Sequence, residues 1–406
     1  MARTVAGLPS GTRLTDFISL GVLTRAVPLT RVEAALEWTG KRSVRQRDLP
    51  AQVTVYYVIA LALYMQASYR EVLRCLLEGL RWLLGPDARL KVAGKSGISQ
   101  ARTRLGAEPL QHLHDELVGP VAVARTRGAW YRRWRLVSLD GSTLDVADTA
   151  GNAAAFGRPG ASRGGSAFPQ LRFVALLENG THVLFGTRMA GCVTSETALA
   201  AEVLSALRPG MLCLADRQFL GYAVWQQAQA TGAELLWRAK ANARLDCERA
   251  LPDGSYLSRI YAGTRDRRHR SNGLVVRAVD YRLVDVAGAE PIYRLVTTIL
   301  DPKEAPAAEL AALYQERWEV ETALDELKTH LRGRQIVLRS KTPDLVRQEF
   351  WGLLLAHYAV RGLMHEAALR ADEDPDRLSF VHAVRVVRRK LPRYAALPPS
   401  AAERVP

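Results

Sequence analysis

The sequence predicts an α/β protein in which a mixed sheet is preceded by a helical region and followed by a helical tail. Its length of 406 residues corresponds to two or three domains at roughly 150 residues each. Up to about residue 130, apolar residues recur at intervals of three and four, the spacing of amphipathic helices. From Arg135 onwards, short apolar runs alternate with turn residues, as in strands. We therefore expect three regions, at residues 1–130, 131–342 and 343–406.

Five helices are expected in the N-terminal region, where no segment has the pattern of a strand. They are Asp16–Leu20, Leu29–Trp38, Gln52–Met65, Tyr69–Leu83 and Glu108–Val118. Gly85-Pro86 ends the fourth helix, and Lys95-Ser96-Gly97 is interpreted as a loop, because glycine and proline interrupt helices.

The central region begins with three sequential strands and continues with alternating helices and strands. The three strands are Leu136–Val146, Leu171–Leu177 and His182–Met189, the last two joined by a tight turn at residues 178–181. The segments that follow are helix Ser195–Leu207, strand Met211–Ala215, helix Gly221–Ala230 and strand Glu234–Ala239. A meander followed by helix–strand units is the order of a ribonuclease-H-like core.

The core is predicted to be interrupted by an insertion before its last helix. Residues 242–290 look like a separate β-rich unit with a basic loop from Arg265 to Arg270. A strand at Ile292–Leu300 and a long helix at Ala307–Leu331 follow, and the tail from Pro343 is helical.

The charge of the chain favours a polyanionic partner. The sequence has 56 Lys and Arg against 41 Asp and Glu, a formal net charge of +15. Its most apolar runs, Val53–Met65 and Phe350–Met364, are shorter than the roughly 20 residues that a membrane-spanning helix needs, and no signal peptide is evident. The four cysteines form no Cys-x-x-Cys pair. We expect a cytoplasmic protein that binds nucleic acid and not a membrane.

Two aspartates in the predicted sheet are candidates for chemistry. Asp140 lies inside the first strand, where a buried carboxylate needs a partner or a metal; the alternative is a turn at Asp140-Gly141. Asp216 follows a buried strand at the sheet edge where α/β sites gather; the alternative is a cap of the next helix.

A polar stripe on the long helix adds a third carboxylate. Tyr314, Arg317, Glu321 and Lys328 are 3, 4 and 7 positions apart and share one face of a helix. The alternative is a solvated ladder with an Arg317–Glu321 ion pair. If Asp140, Asp216 and Glu321 converge, they could hold two Mg²⁺ ions, which prefer carboxylate oxygens and catalyse phosphoryl displacement. Arg317, Lys328 and Tyr314 would then contact DNA phosphates.

The spacing Tyr-x-x-Arg-x-x-x-Glu-x-x-x-x-x-x-Lys resembles the signature of DDE transposases of the insertion-sequence-four family of bacterial elements. The likeness extends over the whole chain and includes Asp140-Gly-Ser and Ala-Asp216-Arg. It implies that Asp140, Asp216 and Glu321 are the metal-binding catalytic triad, with Mg²⁺ as the cofactor and Mn²⁺ able to substitute.

The resemblance also implies the function and further DNA contacts. It implies a nucleoid-associated transposase that binds the terminal inverted repeats of its own element, cuts and joins DNA, and pairs two ends as a homodimer. The N-terminal region would bind the ends. Arg238 and Lys240 correspond to basic DNA contacts, although the segment also fits a buried strand with basic ends. Tyr293 occupies the place of an aromatic, often tryptophan, that stacks on a flipped base; it also fits a core position.

Two other functions are compatible with the same core. One is a catalytically inactive, domesticated DNA-binding protein, and the other is a stand-alone ribonuclease-H-like nuclease. The intact triad argues against the first, and strand joining would distinguish a transposase from the second.

Overall fold

A computed structural model describes residues 20–44, 49–84, 93–161, 164–165, 168–283, 290–333 and 337–389 of the chain. The predicted helix Asp16–Leu20, except for its last residue, lies outside these ranges, as do residues 284–289 of the predicted insertion and the end of the tail.

The described part of the N-terminal region is helical. Its helices are α1 (Leu20–Ala26), α2 (Leu29–Trp38), α3 (Ala51–Leu63), α4 (Tyr69–Leu84), α5 (Lys95–Leu105) and α6 (Glu108–Leu117). The loop predicted at residues 95–97 is wrong, because these residues form the first turn of α5. The amide groups of a first turn have no partner within the helix, so Gly97 is tolerated there, while Ile98, Ala101 and Leu105 are buried at helical spacing.

The core strands lie close to their predicted positions. The elements are β1 (Trp130–Tyr131), β2 (Trp134–Asp145), α7 (Ala150–Phe156), β3 (Gly160–Ala161), β4 (Gly164–Gly165), β5 (Gln170–Glu178), β6 (Val183–Gly191), α8 (Glu196–Val203), β7 (Met211–Ala215), α9 (Tyr222–Ala230) and β8 (Glu234–Arg238). Five of these strands are ordered β6-β5-β2-β7-β8, with antiparallel pairing up to β2 and parallel pairing from β2 to β8. This is the strand order of a ribonuclease-H-like core.

The strands of the predicted insertion do not form a separate sheet. The elements of residues 242–290 are β9 (Arg249–Ala250), β10 (Tyr256–Ile260), α10 (Thr264–His269) and β11 (Leu274–Tyr281). The next strand, β12 (Tyr293–Thr297), lies within the strand predicted after the insertion, Ile292–Leu300. These strands continue the main sheet in the order β8-β12-β11-β10-β9. The prediction of a separate unit is therefore wrong for the described residues, since β12 pairs with β8 and satisfies the backbone of an edge that would otherwise be open. The predicted basic loop is mostly the short helix α10.

The predicted long helix changes its geometry along its length. It consists of α11 (Ala307–Leu313), a 3₁₀ turn (Tyr314–Trp318), α12 (Glu319–Asp325) and a π-helical turn (Glu326–Leu331). The tail contains α13 (Pro343–Ala371), a 3₁₀ turn (Pro375–Arg377) and α14 (Phe380–Arg389).

Both faces of the sheet are covered. On one face, the N-terminal helices and α13 share a continuous apolar core with the sheet. On the other, Leu310 and Tyr314 pack against strand residues that include Leu136, Leu212 and Leu295. The helical segment 307–331 is therefore fixed beside β2 and β7. No helix in the described ranges is long and apolar enough to cross a membrane.

Candidate active site

The two candidate aspartates lie at the same level of neighbouring parallel strands. Leu139 of β2 pairs with Ala215, the last residue of β7. Asp140 is the next residue of β2, and Asp216 directly follows β7. The turn interpretation of Asp140 is wrong, because β2 continues to Asp145. Asp216 does not cap the following helix either, since α9 begins at Tyr222. The register thus brings the two carboxylates to the same point of the sheet.

Asp140 lies in a poorly solvated position. Its side chain is 17% exposed, and Oδ1 accepts a hydrogen bond of 2.7 Å from the amide of Gly141. Burial raises the pKa of Asp140 to about 6; the amide of Gly141 and the charge of Arg317 oppose this shift, whereas the carboxylates of Glu196 and Asp216 add to it. The electrostatics therefore disfavour the ionised form of Asp140 unless a further cation is present.

Arg317 connects Glu321 with Asp140. The Arg317 guanidinium lies 3.3 Å from Glu321 Oε1 and 3.6 Å from Asp140 Oδ2. The ion pair expected from the spacing is present, but it is not a solvated ladder, because Arg317 is 6% exposed. Glu321 is half exposed, at 49% of its side chain. The third carboxylate is thus held beside Asp140 by one guanidinium.

The ends of the polar stripe are attached to two strands. The buried Tyr314 hydroxyl donates a hydrogen bond of 3.1 Å to the carbonyl of Ala215, directly before Asp216. The hydroxyl is thus engaged within the protein, and the predicted contact of Tyr314 with DNA stays a prediction. Tyr314 is the first residue of the 3₁₀ turn, so the angular spacing of a regular α-helix does not hold along the whole stripe. Lys328 Nζ donates a hydrogen bond of 2.9 Å to Ser142 Oγ on β2, and burial lowers the pKa of Lys328.

The further basic candidates lie at the ends of β8 and β12. The guanidinium of Arg238 contacts Glu290 Oε2 at 2.8 Å and lies 4.7 Å from the centre of the Tyr293 ring. Tyr293 also stacks on Tyr281, with ring centres 5.4 Å apart. Lys240 is exposed two residues after Arg238. Two side chains already contact the Tyr293 ring in this structure, so its predicted stacking on a base stays a prediction.

Glu196 was not identified from the sequence. It is the first residue of α8, and a Cβ atom on Gly141 would lie 2.9 Å from its Cδ. Its carboxylate therefore adjoins Asp140. In the sequence, Ser195-Glu196 has the ordinary pattern of a helix start, which carries no signal for a site.

The donor set fits hard divalent cations such as Mg²⁺. Asp140, Asp216, Glu321 and the adjoining Glu196 are carboxylates, the ligands that Mg²⁺ prefers. Burial and the neighbouring carboxylates disfavour the ionised form of Asp140, so a bound cation would stabilise that form.

Comparisons with known proteins identify relatives over most of the chain. The sequence model of the family described as "Transposase DDE domain" matches residues 134–359, and that described as "Insertion element 4 transposase N-terminal" matches residues 17–115. The Escherichia coli K12 transposase InsG for insertion sequence element IS4 is 27% identical over 366 residues, which cover 89% of this chain and 80% of that protein. The putative transposase InsZ of the same strain is 24% identical over 194 residues, 48% of this chain and 62% of that protein.

A solved structure also resembles this one. It is the piggyBac transposase synaptic complex with hairpin DNA, determined by cryo-electron microscopy, with 12% sequence identity and a TM-score of 0.48. The alignment covers 96% of this chain and 84% of that chain.

Proposed function

Since this chain belongs to the insertion-sequence-four family of DDE transposases, we propose that it moves its own insertion sequence by metal-dependent DNA cleavage and strand transfer. In this proposal the protein binds the terminal inverted repeats of the element, cuts the DNA at each end, and joins the freed 3′-hydroxyls to target DNA.

The observation that carries the proposal is the meeting of three carboxylates. Asp140 and Asp216 follow a paired position of adjacent parallel strands, and Arg317 joins Glu321 to Asp140. These are the three positions that the family resemblance assigns to the triad. We assign metal binding to Asp140, Asp216 and Glu321.

Bound there, Mg²⁺, or Mn²⁺ in its place, would activate the attacking water or 3′-hydroxyl and stabilise the leaving oxygen of the displaced strand. Asp140 and Asp216 would orient this chemistry from the rigid sheet. Glu321 would close the site from the helix, where its partial exposure leaves it accessible to DNA.

Basic side chains around the triad would bind the DNA backbone. Arg317 and Lys328 would offset the charge of phosphates approaching three carboxylates. Tyr314 acts as a positioning residue, because its hydroxyl fixes the helical segment to the strand that precedes Asp216. Arg238, Lys240 and Tyr293 form the second part of the proposed DNA surface.

The regions outside the catalytic core have proposed roles of their own. The helical N-terminal region, residues 1–130, would recognise the element ends, and the helical tail from residue 343 would support it, since α13 packs against α1, α3 and α6. Two protomers would pair two ends, so we expect a homodimer in the synaptic complex with DNA.

The test is cleavage of a duplex that carries the element end, followed by joining to a target plasmid. Wild-type protein should cut and join in Mg²⁺ and not in a chelator. Glu321→Gln should bind the duplex and leave it uncut, whereas Asp325→Asn, an exposed carboxylate one helical turn away, should retain activity.

Each alternative function predicts a different result in this assay. Cleavage without joining would identify a nuclease, and binding without cleavage by the wild type would identify an inactive DNA-binding protein. Equal activity of Glu321→Gln and wild type would remove Glu321 from the triad.

A further inference from the structure

A second group of metal-binding side chains lies behind the helix that carries Glu321. It consists of His182, directly before β6, Glu319, the first residue of α12, and Asp376, in the 3₁₀ turn before α14; we call it the His182 site. One ligand atom from each residue lies within 4.8 Å of the other two. Glu319 and Glu321 are two positions apart and point in directions about 200° apart on the helix, so the His182 site and the triad are distinct.

The distances at the His182 site fit a transition-metal ion. His182 Nε2 lies 3.0 Å from Asp376 Oδ1 and 3.5 Å from Glu319 Oε2. Nitrogen and oxygen ligands about 2.0–2.1 Å from a tetrahedral Zn²⁺ ion are about 3.3–3.4 Å from each other. The observed separations lie on either side of this value, so an ion could bind with small side-chain adjustments.

The hydrogen bonding provides an independent indication of a ligand. His182 is 3% exposed, and its Nε2 atom has no hydrogen bond although Asp376 lies close to it. The Oε1 atom of Glu319 is also buried without a partner. Buried polar atoms normally have hydrogen-bond partners. The proposed ligand atom of Glu319, Oε2, accepts a hydrogen bond from the amide of Gly180, whereas Nε2 of His182 has only its close contacts with Asp376 and Glu319. An ion between these atoms would satisfy Nε2.

The other nitrogen of His182 faces a carboxylate and a guanidinium. Its Nδ1 atom lies 3.4 Å from Glu326 Oε1, and Arg361 contacts both this nitrogen and Glu326. When Nε2 binds an ion, Nδ1 carries the proton and donates it to Glu326, the arrangement common for metal-binding histidines, while Arg361 stays paired with Glu326. The carboxylates of Glu319, Glu326 and Asp376 outnumber this guanidinium by three to one. With His182 neutral, as a metal ligand must be, the net charge of the group is −2, which a divalent cation neutralises.

We propose that the His182 site binds one divalent transition-metal ion of the Zn²⁺ type. The ligands come from the β5–β6 hairpin, from α12 and from the turn before α14, which are far apart in the sequence. The ion fastens the helix that carries Glu321 to the edge of the sheet and to the tail. Its role is structural, and its existence does not depend on the proposed reaction.

Cobalt binding tests this proposal, because tetrahedral Co²⁺ absorbs visible light and replaces Zn²⁺ at such sites. The full chain carries Asp140→Asn throughout, which disables the triad as a competing site. We expect one equivalent of Co²⁺ to bind with a visible absorption band that Zn²⁺ displaces. Adding His182→Gln should weaken binding by more than about 100-fold, since even changes of residues around metal ligands cost 10–100-fold.

A second ligand variant and a matched control complete the test. Asp376→Asn replaces a ligand whose side chain is 32% exposed, so the fold should tolerate it, and it should also weaken Co²⁺ binding. His330→Gln changes a histidine that lies 3.3 Å from Asp325 on the surface and should bind Co²⁺ like its parent. Absence of the band in the parent, or equal affinity of the parent and Asp376→Asn, would overturn the proposal.

Discussion

Replacing Asp140 by asparagine should stabilise the metal-free protein while it abolishes DNA cleavage. The ionised carboxylate is disfavoured in the folded state, chiefly by burial and further by Glu196 and Asp216. Asparagine has almost the same shape, and its side-chain oxygen can still accept the hydrogen bond from Gly141. The substitution therefore removes an unfavourable charge and leaves the packing intact.

The magnitude follows from the shift in pKa. A rise from 3.8 to about 6 is a change of about two units, and each unit corresponds to about 1.4 kcal/mol. The free energy of unfolding of Asp140→Asn should therefore exceed that of the wild type by about 2–3 kcal/mol at neutral pH.

The sign of the pH dependence is also fixed. The folded-state pKa of Asp140 lies above the unfolded value. The ionised carboxylate therefore destabilises the folded wild type fully above about pH 6, and this destabilisation disappears below the ordinary pKa of 3.8. The advantage of Asp140→Asn should thus shrink as the pH falls from 7 to 4.

Urea unfolding in the presence of a chelator measures this difference at each pH. Added Mg²⁺ should then stabilise the wild type and not Asp140→Asn, because an ion that binds only the folded state raises its stability. Asp145→Asn is the matched control on the same strand. Asp145 accepts a hydrogen bond from Gln170, and its negative charge favours the charged form of Lys328. Its replacement should therefore give no stabilisation. An Asp140→Asn protein less stable than the wild type at pH 7 would refute the reasoning.

Three further variants test other parts of the structure. Tyr314→Phe removes the hydrogen bond to β7, so the free energy of unfolding in urea should fall by about 1 kcal/mol and cleavage should slow, while the affinity for DNA stays unchanged. Weaker DNA binding at unchanged stability would mean that the hydroxyl contacts DNA. Lys328→Met should weaken DNA binding measured by fluorescence anisotropy. Because one phosphate contact is lost, the slope of log affinity against log salt concentration should also decrease by about one. An unchanged slope would mean that Lys328 does not contact a phosphate. Gly352→Ala places a Cβ 2.9 Å from the carbonyl oxygen of Val58 and should lower the free energy of unfolding by about 1–3 kcal/mol. Gly362→Ala, on the same helix, meets no atom within 4 Å and should leave the stability unchanged or raise it by up to about 1 kcal/mol. Equal effects of the two variants in thermal unfolding would contradict the α3–α13 packing.

The strands could be predicted well where local sequence determines them. Met211–Ala215 was predicted at its observed bounds, because five apolar residues lie between Pro209-Gly210 and Asp216-Arg217. The family was also predicted correctly, since the four-residue signature and the two aspartate motifs are local patterns. From the residues alone, the convergence of Asp140 and Asp216 was only a hypothesis, which the family resemblance favoured; the register that brings them together became visible only in the structure.

Features that depend on tertiary contacts could not be predicted. The pairing of β12 with β8 joins the predicted insertion to the main sheet, and no local pattern distinguishes this from a separate sheet. Tyr314 is buried against β7, where its hydroxyl donates a hydrogen bond to the carbonyl of Ala215, 99 positions earlier in the chain. The His182 site unites residues from three distant segments, each of which is unremarkable in its own surroundings.

Metal rescue of cysteine variants tests the central claim most directly, because it reports whether a side chain contacts the metal. Asp140→Cys, Asp216→Cys and Glu321→Cys each replace a hard oxygen ligand by a softer thiolate, which binds Mg²⁺ poorly and accepts Mn²⁺ more readily. In the cleavage assay each variant should be inactive in Mg²⁺ and regain activity in Mn²⁺, while the corresponding alanine variants stay inactive in both. Wild-type activity of the cysteine variants in Mg²⁺, or equal activity of the cysteine and alanine variants in Mn²⁺, would contradict metal binding by Asp140, Asp216 and Glu321.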